Sequence, residues 1–259
     1  MKLKHMLAAA AAVATIFTGT VQADPLKYTV GTGATYRPFE FQTATKEIVG
    51  FDIDLMKAIA KSQGFEAEFI NTLWGVIFES VKNGDRDIIM SGITITDKRK
   101  ESVDFSYPYF AAHQLILTQK GVVISGLKDL EGKSVAVVAN SAGDIAVSNA
   151  FGKANKNIKR FDNTPLALEE LSAGGVDAAV GDVGVFAYYA LQNPEKAFNM
   201  ARDVSFKDQY FGIAVRKGNK EVLDKINAGL KDVIASGKYA EIYKKWFGEK
   251  APVPTLPIP

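Results

Sequence analysis

The chain has 259 residues, 47% of them hydrophobic and 23% charged, so its composition is that of a globular protein and excludes a collagen, a coiled coil or a disordered chain. Basic residues number 31 and acidic residues 29, but Lys2 and Lys4 lie in the first 23 residues, which contain no acid. Without that segment the balance is 29 against 29, a net charge of zero. This balance argues against nucleic acid or an anionic membrane surface as a partner, because both attract basic proteins.

The first 23 residues have the pattern of a secretory signal peptide. A short basic start precedes an apolar run from Leu7 to Phe17, and small residues lead to Ala23. The run is too short to span a bilayer of roughly 30 Å as a helix. A buried first helix is the alternative, but the alanine-rich run has no polar face. We therefore expect a mature chain that starts near Asp24.

The chain contains no cysteine. An exported protein without cysteine has no disulfides, so core burial must supply its stability. It also lacks the cysteine at the cleavage site that a bacterial lipid anchor requires. Because a freely diffusing exported protein is useful only in an enclosed compartment, we expect a soluble periplasmic protein without a lipid anchor.

Short β-type runs alternate with segments of helical periodicity in the first part of the mature chain, which is typical of α/β proteins. The predicted elements are a strand at Leu26–Gly31, a helix at Phe51–Gln63, a strand at Phe65–Ile70, a helix at Trp74–Asn83 and a strand at Asp87–Met90. Asp52 and Asp54 mark the start of the first helix, and Gly64 closes it. These elements form a β-α-β-α-β unit.

A second unit of the same kind follows. Its predicted strands are Ser134–Val138, Ile158–Phe161 and Ala178–Val180, and its predicted helices are Gly143–Phe151, Pro165–Ser172 and Val183–Leu191. A further strand at Gly212–Arg216 and a long helix at Lys220–Ser236 are predicted after this unit. A short helical turn is expected at 127–132. Two similar units predict two lobes, each with its own sheet. The tail 251–259 contains four prolines, so we expect an extended and flexible end.

Five motifs resemble, in sequence and in order, those of the periplasmic polar-amino-acid-binding proteins of ABC importers, solute-binding protein family 3. They are Gly-Thr-x-x-x-Tyr-x-Pro-Phe-Glu-Phe at 31–41, Val-Gly-Phe-Asp-Ile-Asp-Leu at 49–55, Gly-Ile-Thr-Ile-Thr-Asp-Lys-Arg at 92–99, Val-Asp-Phe-Ser-x-Pro-Tyr at 103–109 and Ile-Tyr-Lys-Lys-Trp-Phe-Gly at 242–248. The similarity covers essentially the whole mature chain. Agreement of five separate motifs in spacing makes chance a poor explanation.

The resemblance implies an α/β fold of the two-lobed periplasmic binding protein kind, type II, with two hinge crossings. The crossings fall near Tyr109–His113 and Phe206–Tyr210. The implied domains are a signal peptide at 1–23, a discontinuous lobe 1 at 24–110 and 209–250, a lobe 2 at 111–208 and the proline-rich tail at 251–259. The implied function is capture of a free amino acid by lobe closure and delivery to an ABC transporter permease in the inner membrane.

A free amino acid offers a carboxylate, an ammonium group and a side chain, and a selective site must contact all three. By resemblance, Arg99 binds the carboxylate, because a guanidinium makes a bidentate pair with it. Without the motif, a solvated charge is the more common role of such an arginine. Asp182 is the matching partner for the ammonium group, at the carboxyl end of a strand where open α/β sheets bind ligands. Asp182 is also a candidate N-cap for the following helix.

The remaining site residues come from the same resemblance. They are Gly33, Ser91, Gly92, Thr94, Ser141 and Ala142 as backbone and hydroxyl contacts, and Tyr36 and Trp74 as aromatic walls. The Gly92 carbonyl would bind the ammonium group, and Thr94 with the Ser141–Ala142 turn would bind the carboxylate. Phe39 is a further aromatic candidate, for which core packing is the favoured role.

Three positions of the expected pocket lack a charge. Binders of lysine, arginine or histidine usually have an acid where this chain has Gly33, and glutamine binders have an acid, a lysine and a histidine where this chain has Gly33, Val138 and Gly181. An uncharged pocket favours a neutral ligand, glutamine first. Similarity to proteins labelled basic-amino-acid binders, around 159–171 and 210–219, places arginine, lysine or histidine second.

Two other function classes compete with transport. One is an enzyme on the same fold, such as a dehydratase; the only histidine outside the leader is His113, and zinc-protease or nucleophile-elbow motifs are absent. The other is a soluble accessory protein that passes a ligand signal to a receptor. We expect no catalysis, no cofactor, no metal, no nucleic-acid partner and a monomer.

Overall fold

A computed structural model describes residues 26–259, so the predicted signal peptide at 1–23 lies outside the described residues. The strands are β1 (Leu26–Thr32), β2 (Thr35–Tyr36), β3 (Glu40–Gln42), β4 (Ile48–Val49), β5 (Phe65–Asn71), β6 (Ile88–Ile89), β7 (Val103–Phe105), β8 (Phe110–Ala112), β9 (Gln114–Thr118), β10 (Val135–Val138), β11 (Ile158–Phe161), β12 (Ala178–Asp182), β13 (Asn199–Ala201), β14 (Gln209–Phe211) and β15 (Ala214–Arg216). The α-helices are α1 (Phe51–Gln63), α2 (Ile77–Asn83), α3 (Asp97–Lys100), α4 (Ala142–Phe151), α5 (Thr164–Ala173), α6 (Val183–Gln192), α7 (Lys220–Ala235) and α8 (Lys238–Phe247). Among these residues, no helix combines the length and apolar character that a membrane span needs.

The first sheet has the strand order β5-β1-β6-β15-β7. Strand β1 pairs in parallel with both β5 and β6, whereas β15 is antiparallel to its neighbours β6 and β7. Because β15 comes more than 100 residues after β7, this sheet is built from two separate stretches of the chain. We call the unit around this sheet lobe 1.

The second sheet has the order β11-β10-β12-β9-β13 and comes from one continuous stretch. Strand β10 pairs in parallel with β11 and β12, and β9 is antiparallel to β12 and β13. The parallel strands are joined by helices α4 and α5, as parallel pairing requires. We call this unit lobe 2.

Strands β8 and β14 form a separate two-stranded antiparallel sheet, in which Phe110 is paired with Phe211. The chain leaves lobe 1 through β8 and returns to it after β14, so these strands are the two crossings. This topology confirms the predicted two-lobed fold. The precise lobe limits at 110/111 and 208/209 stay a prediction.

Buried side chains form the core of each lobe. In lobe 1, helix α7 packs against α1 through Val222, Ile226, Leu230 and Val233, whose spacing of three and four residues puts them on one face. Gly229 permits this approach, because a Cβ there would lie 2.8 Å from Ile59 Cγ2. Burial of each large apolar side chain contributes about 1.5–3 kcal/mol.

An aromatic cluster lies where the crossing strands meet lobe 1. Its rings belong to Phe39, Phe51, Tyr109, Phe110, Phe211, Tyr243 and Phe247. Phe39 is fully buried here, and the core role favoured for it is confirmed. Through this cluster, helix α8 packs against both crossing strands.

The predicted elements recur with small shifts. The segment Trp74–Asn83 begins as a 3-10 turn before α2, and a 3-10 turn at Leu127–Leu130 matches the expected helical turn. In the tail, Leu256 and Ile258 are half-buried and pack against the core, while the mobility of the tail stays a prediction.

Candidate functional site

A cavity of about 680 Å³, its mouth included, lies between the two lobes. Its lining comes from the carboxyl ends of β1, β6, β10 and β12, where open parallel sheets place their ligand sites. All ten residues predicted for the site line it: Gly33, Tyr36, Trp74, Ser91, Gly92, Thr94, Arg99, Ser141, Ala142 and Asp182. The structure thus brings together residues that are up to 149 positions apart in the sequence.

Arg99 enters the cavity from the short helix α3. Thr96 caps this helix, since its Oγ1 accepts a hydrogen bond from the Arg99 amide at 3.2 Å. The guanidinium is buried; it donates to the carbonyl oxygens of Thr94 at 2.8 Å and Asn140 at 3.2 Å. Burial lowers the Arg99 pKa to about 10, so the group is a cation at neutral pH. A guanidinium has five N–H donors, so further donors remain for an anion.

Asp182 is the last residue of β12 and immediately precedes α6. Its Oδ1 accepts a hydrogen bond from Gln114 Nε2 at 2.8 Å, and its Oδ2 accepts one from the Tyr36 hydroxyl. Asp182 occupies the N-cap position of α6, as the alternative predicted, but its side chain makes no capping hydrogen bond to that helix. Burial raises the pKa of Asp182, although these two donors and the charge of Arg99 oppose the shift.

Three hydrogen bonds connect the lobes around the cavity. The Tyr36 hydroxyl donates to Asp182, Trp74 Nε1 donates to the Ala139 carbonyl at 3.0 Å, and Arg99 donates to Asn140. The Arg99 guanidinium also lies 5.3 Å from the centre of the Trp74 ring, a cation–π distance. The lobes are therefore in direct contact at the residues expected to bind a ligand.

The turn at Ser91–Gly92 forms part of the lobe 1 side. Gly92 has a φ of +53°, and a Cβ there would lie 2.7 Å from the Tyr36 ring, so glycine is required. Its amide donates to Asp52 Oδ2 at 2.9 Å. Ser91 Oγ donates to Glu40 Oε1 at 2.7 Å and accepts from the Gly33 amide at 3.0 Å. The buried side chains of Asp52 and Glu40 thus hold this turn in place by hydrogen bonds.

The start of helix α4 forms part of the lobe 2 side. Ser141 is its N-cap, with Oγ accepting from the Asp144 amide at 3.2 Å. Asp144 in turn accepts from the Asn140 amide at 2.9 Å and from Arg160 Nε at 3.0 Å. Burial acts to raise the Asp144 pKa, but hydrogen bonds from Arg160, Asn140 and Ser148 prevail and lower it. Amides at the first turn of a helix favour an anion.

The uncharged positions Gly33, Val138 and Gly181 do line the cavity. A Cβ at Gly181 would lie 2.4 Å from the Phe186 ring, and one at Gly33 would lie 3.1 Å from Ser91 Oγ. Arg99, Asp182 and Glu40 are the charged residue types among the lining residues.

Glu40 is the main residue that the sequence interpretation missed. It belongs to the quoted motif at 31–41, and its place between Phe39 and Phe41 in a β-type run is the signal that could have marked a buried acid. Asn163 and Thr164 were missed as well; they line the cavity at the start of α5, where Asn163 Oδ1 caps the Leu166 amide at 3.1 Å.

Known proteins resemble this chain over most of its length. A probable histidine-binding protein of Neisseria gonorrhoeae is 42% identical over 224 residues, which cover 86% of this chain and 84% of that protein. The solved arginine-, lysine-, histidine-binding protein ArtJ of Geobacillus stearothermophilus is 43% identical, with a TM-score of 0.83, over 87% of this chain and 96% of that one. An ancestral arginine-binding protein solved with bound glutamine is also 43% identical, with a TM-score of 0.80, over 86% of this chain and 98% of that one.

The family model for bacterial extracellular solute-binding proteins, family 3, matches residues 28–249. This match covers both lobes and both crossing strands. The chain belongs to the bacterial extracellular solute-binding proteins of family 3.

Proposed function

We propose that this protein captures a free polar amino acid by closure of its two lobes and delivers it to the permease of an ABC importer. The observation that carries the proposal is the placement of two opposite charges: Arg99 from lobe 1 and Asp182 from lobe 2 are buried at one cavity. A zwitterion has a carboxylate for the first and an ammonium group for the second. In this proposal the lobes are 24–110 with 209–250, and 111–208, and the tail is 251–259.

Closure gives the ligand its affinity. Arg99 and Asp182 are on different lobes, so both act on one ligand only when the lobes meet. A ligand that binds the closed form better shifts the population towards it, and closure about a hinge is an established mode of capture in periplasmic binding proteins. Strands β8 and β14, which have three residues each, are the candidates for the hinge.

The contacts of each ligand group follow from the lining residues. Arg99, the Thr94 hydroxyl, Ser141 and the Ala142 amide would bind the carboxylate. Asp182 and the Gly92 carbonyl would bind the ammonium group, with Ser91 and Gly33 beside them. Tyr36 and Trp74 would enclose the aliphatic part of the ligand side chain.

A neutral polar ligand, glutamine first, is favoured by the uncharged positions Gly33, Val138 and Gly181. The glutamine bound to the ancestral arginine-binding protein supports this choice. The second candidate is arginine, lysine or histidine, favoured by the other two relatives, a probable histidine-binding protein and an arginine-, lysine-, histidine-binding protein.

Transport is favoured over catalysis, since the named relatives are binding proteins. In this proposal the protein is a monomer that acts without a metal or cofactor, and its compartment is the periplasm, reached through the leader at 1–23. Uptake of the ligand by a deletion strain separates transport from sensing: lost uptake supports delivery to a permease, whereas intact uptake with lost chemotaxis or gene induction supports a sensory accessory.

The direct test is calorimetric titration of ligand-stripped, refolded protein with glutamine, arginine, lysine, histidine and the other common amino acids. We expect a micromolar or tighter complex, about −8 kcal/mol, with one or a few of them. Binding of glutamine but not arginine supports the neutral ligand, and the reverse supports the second candidate. Absence of binding to every amino acid contradicts the proposal and reopens the dehydratase-like alternative.

A further inference from the structure

Two carboxyl groups are fully buried beneath the cavity, at Glu40 and Asp52, both 0% exposed. Both side chains hydrogen-bond to one turn, Glu40 to Ser91 and Asp52 to Gly92. Among the described residues, Glu40 Oε2 and Asp52 Oδ1 have no hydrogen-bond partner. A buried polar atom without a partner is costly, and a buried charge is more so.

The other oxygen of each group supports the Ser91–Gly92 turn. Asp52 Oδ2 accepts two hydrogen bonds, from the Gly92 amide at 2.9 Å and from the Tyr109 hydroxyl at 2.8 Å. Glu40 Oε1 accepts one, from Ser91 Oγ at 2.7 Å. One oxygen of each carboxyl is thus bonded to the turn or its neighbours, and the other oxygen is left without a partner.

We propose that Glu40 and Asp52 share one proton, and that this hydrogen-bonded pair positions the Ser91–Gly92 turn for the ammonium group of the ligand. The role in ligand binding rests on the proposed function. Asp52 accepts two donors and is the ionised member, while Glu40 carries the proton and donates it from Oε2 to Asp52 Oδ1. One proton therefore gives both remaining oxygens a partner and leaves the pair with a single negative charge.

The pKa values agree with this arrangement. Burial and the neighbouring charge of Asp52 raise the Glu40 pKa well above its ordinary value of 4.5. Burial also raises the pKa of Asp52, to about 6, against the hydrogen bonds that stabilise its charge. Two adjacent carboxyls commonly divide in this way, because both cannot ionise easily in one buried site.

The groups that face the pair come from several elements. Tyr36 is the cross-strand neighbour of Glu40 between β2 and β3, and Asp182 comes from lobe 2. Tyr109 lies beside β8, Tyr239 comes from α8, and Arg99 is the cation of the same cavity. Burial raises the pKa of all three tyrosines, so they stay neutral between pH 5 and 8.

The test compares Glu40→Gln with Glu40→Met in the mature protein. A glutamine amide replaces the protonated acid, since its Oε1 accepts from Ser91 and its Nε2 donates to Asp52. Methionine has a similar size but makes neither hydrogen bond. Exposed Glu47 gives the matched control, Glu47→Gln.

The pH dependence of thermal unfolding shows whether folded Glu40 keeps its proton, and this measurement needs no ligand. The raised Glu40 pKa gives the wild type a stability that is complete below the unfolded pKa and is lost as pH rises through the folded one. Glutamine does not titrate, so the melting temperature of Glu40→Gln relative to wild type should rise by about 4 °C between pH 5 and 8. Glu47→Gln should show no such trend.

Calorimetric titration with the amino acid that binds wild type most tightly then tests whether the pair positions the Ser91–Gly92 turn. At pH 7 we expect Glu40→Gln to bind within about threefold of wild type and Glu40→Met to lose about tenfold or more, the effect of one or two lost buried hydrogen bonds. A large loss in Glu40→Gln with a pH-independent stability difference would overturn the shared proton and make Glu40 an ionised ligand contact. If the pH trend holds and no amino acid binds any variant, the proposed function fails while the shared proton stands.

Discussion

The two lobes build their halves of the cavity in different ways. In lobe 1, the side chains of Glu40 and Asp52 hold the Ser91–Gly92 turn by hydrogen bonds, and Arg99 donates to a carbonyl of its own lobe and to one of lobe 2. In lobe 2, the polar groups lie at helix starts, with Ser141 at the start of α4 and Asp182 before α6.

This difference indicates that the polar groups of the cavity depend on lobe closure to different degrees. The Ser91–Gly92 turn is held by buried hydrogen bonds within lobe 1, so its shape depends little on closure. Arg99 differs from this turn, because it donates both to Thr94 of its own lobe and to Asn140 of lobe 2. In lobe 2, Asp182 receives one of its two hydrogen bonds from Tyr36 of the opposite lobe. We therefore infer that the Ser91–Gly92 turn is preorganised within lobe 1 and that closure completes the hydrogen bonds of both Arg99 and Asp182. The following predictions test this comparison in order of expected effect.

Arg99→Ala should have the largest effect, because it leaves the carboxylate of a bound amino acid buried without its counter-charge. Loss of one partner of a buried charge pair costs about 3–5 kcal/mol, so affinity should fall at least about 100-fold. Calorimetric titration measures it. Lys98→Ala is the control, since Lys98 is the exposed neighbour on the same helix and should bind like wild type. An Arg99→Ala protein with near-normal affinity would contradict the assignment of the carboxylate site.

Asp182→Asn should come next. Asparagine keeps the size of the side chain but removes the charge opposite the ammonium group, so we expect a loss of about 2–3 kcal/mol, or about 30- to 150-fold. Equilibrium binding at pH 7 measures it, with Asp162→Asn at an exposed lobe 2 position as the control. Equal affinities for the two variants would remove Asp182 from the ligand contacts.

Much of the fold could be predicted from the sequence, because most helices and strands are long enough for their hydrophobic periodicity to be recognised. Helix α1 has the predicted bounds, Phe51–Gln63, with Gly64 in the left-handed conformation that ends it. The crossing strands β8 and β14 have three residues each and pair across about 100 positions, so local periodicity contains no signal for their pairing. Their location came from the family resemblance.

The sequence predicted which residues line the cavity but not the hydrogen bonds among them. The family resemblance named ten residues that line one cavity, yet it does not reveal that the Tyr36 hydroxyl bonds to Asp182. Asp52 and Asp54 follow one helix-start pattern, but the first is buried beside Glu40 while the second pairs with Lys245 at 2.6 Å. Which acid turns inward depends on tertiary packing.

Tyr36→Phe should have a smaller effect than the charge changes. It keeps the aromatic wall and removes the hydroxyl that joins lobe 1 to Asp182, a loss of about 1–1.5 kcal/mol and about tenfold in affinity. Small-angle X-ray scattering at saturating ligand should still give the compact form. Tyr107→Phe, at a half-buried tyrosine of lobe 1 that does not line the cavity, is the control. Unchanged affinity in Tyr36→Phe would show that closure does not depend on this hydrogen bond.

Arg160→Ala should have the smallest effect on binding, because Arg160 does not line the cavity and reaches it through Asp144, which supports the Asn140–Ser141 turn. We expect about a threefold loss of affinity and about 1 kcal/mol of stability, the value of a partly exposed ion pair. The lowered Asp144 pKa stabilises the fold above the ordinary pKa of 3.8 and loses that effect as pH falls. The difference in melting temperature between wild type and Arg160→Ala should therefore be largest at pH 7 and shrink towards pH 3. A difference that does not depend on pH would mean that Arg160 stabilises lobe 2 by packing instead of charge, and the helix-start half of the cavity would then need no ion pair behind it.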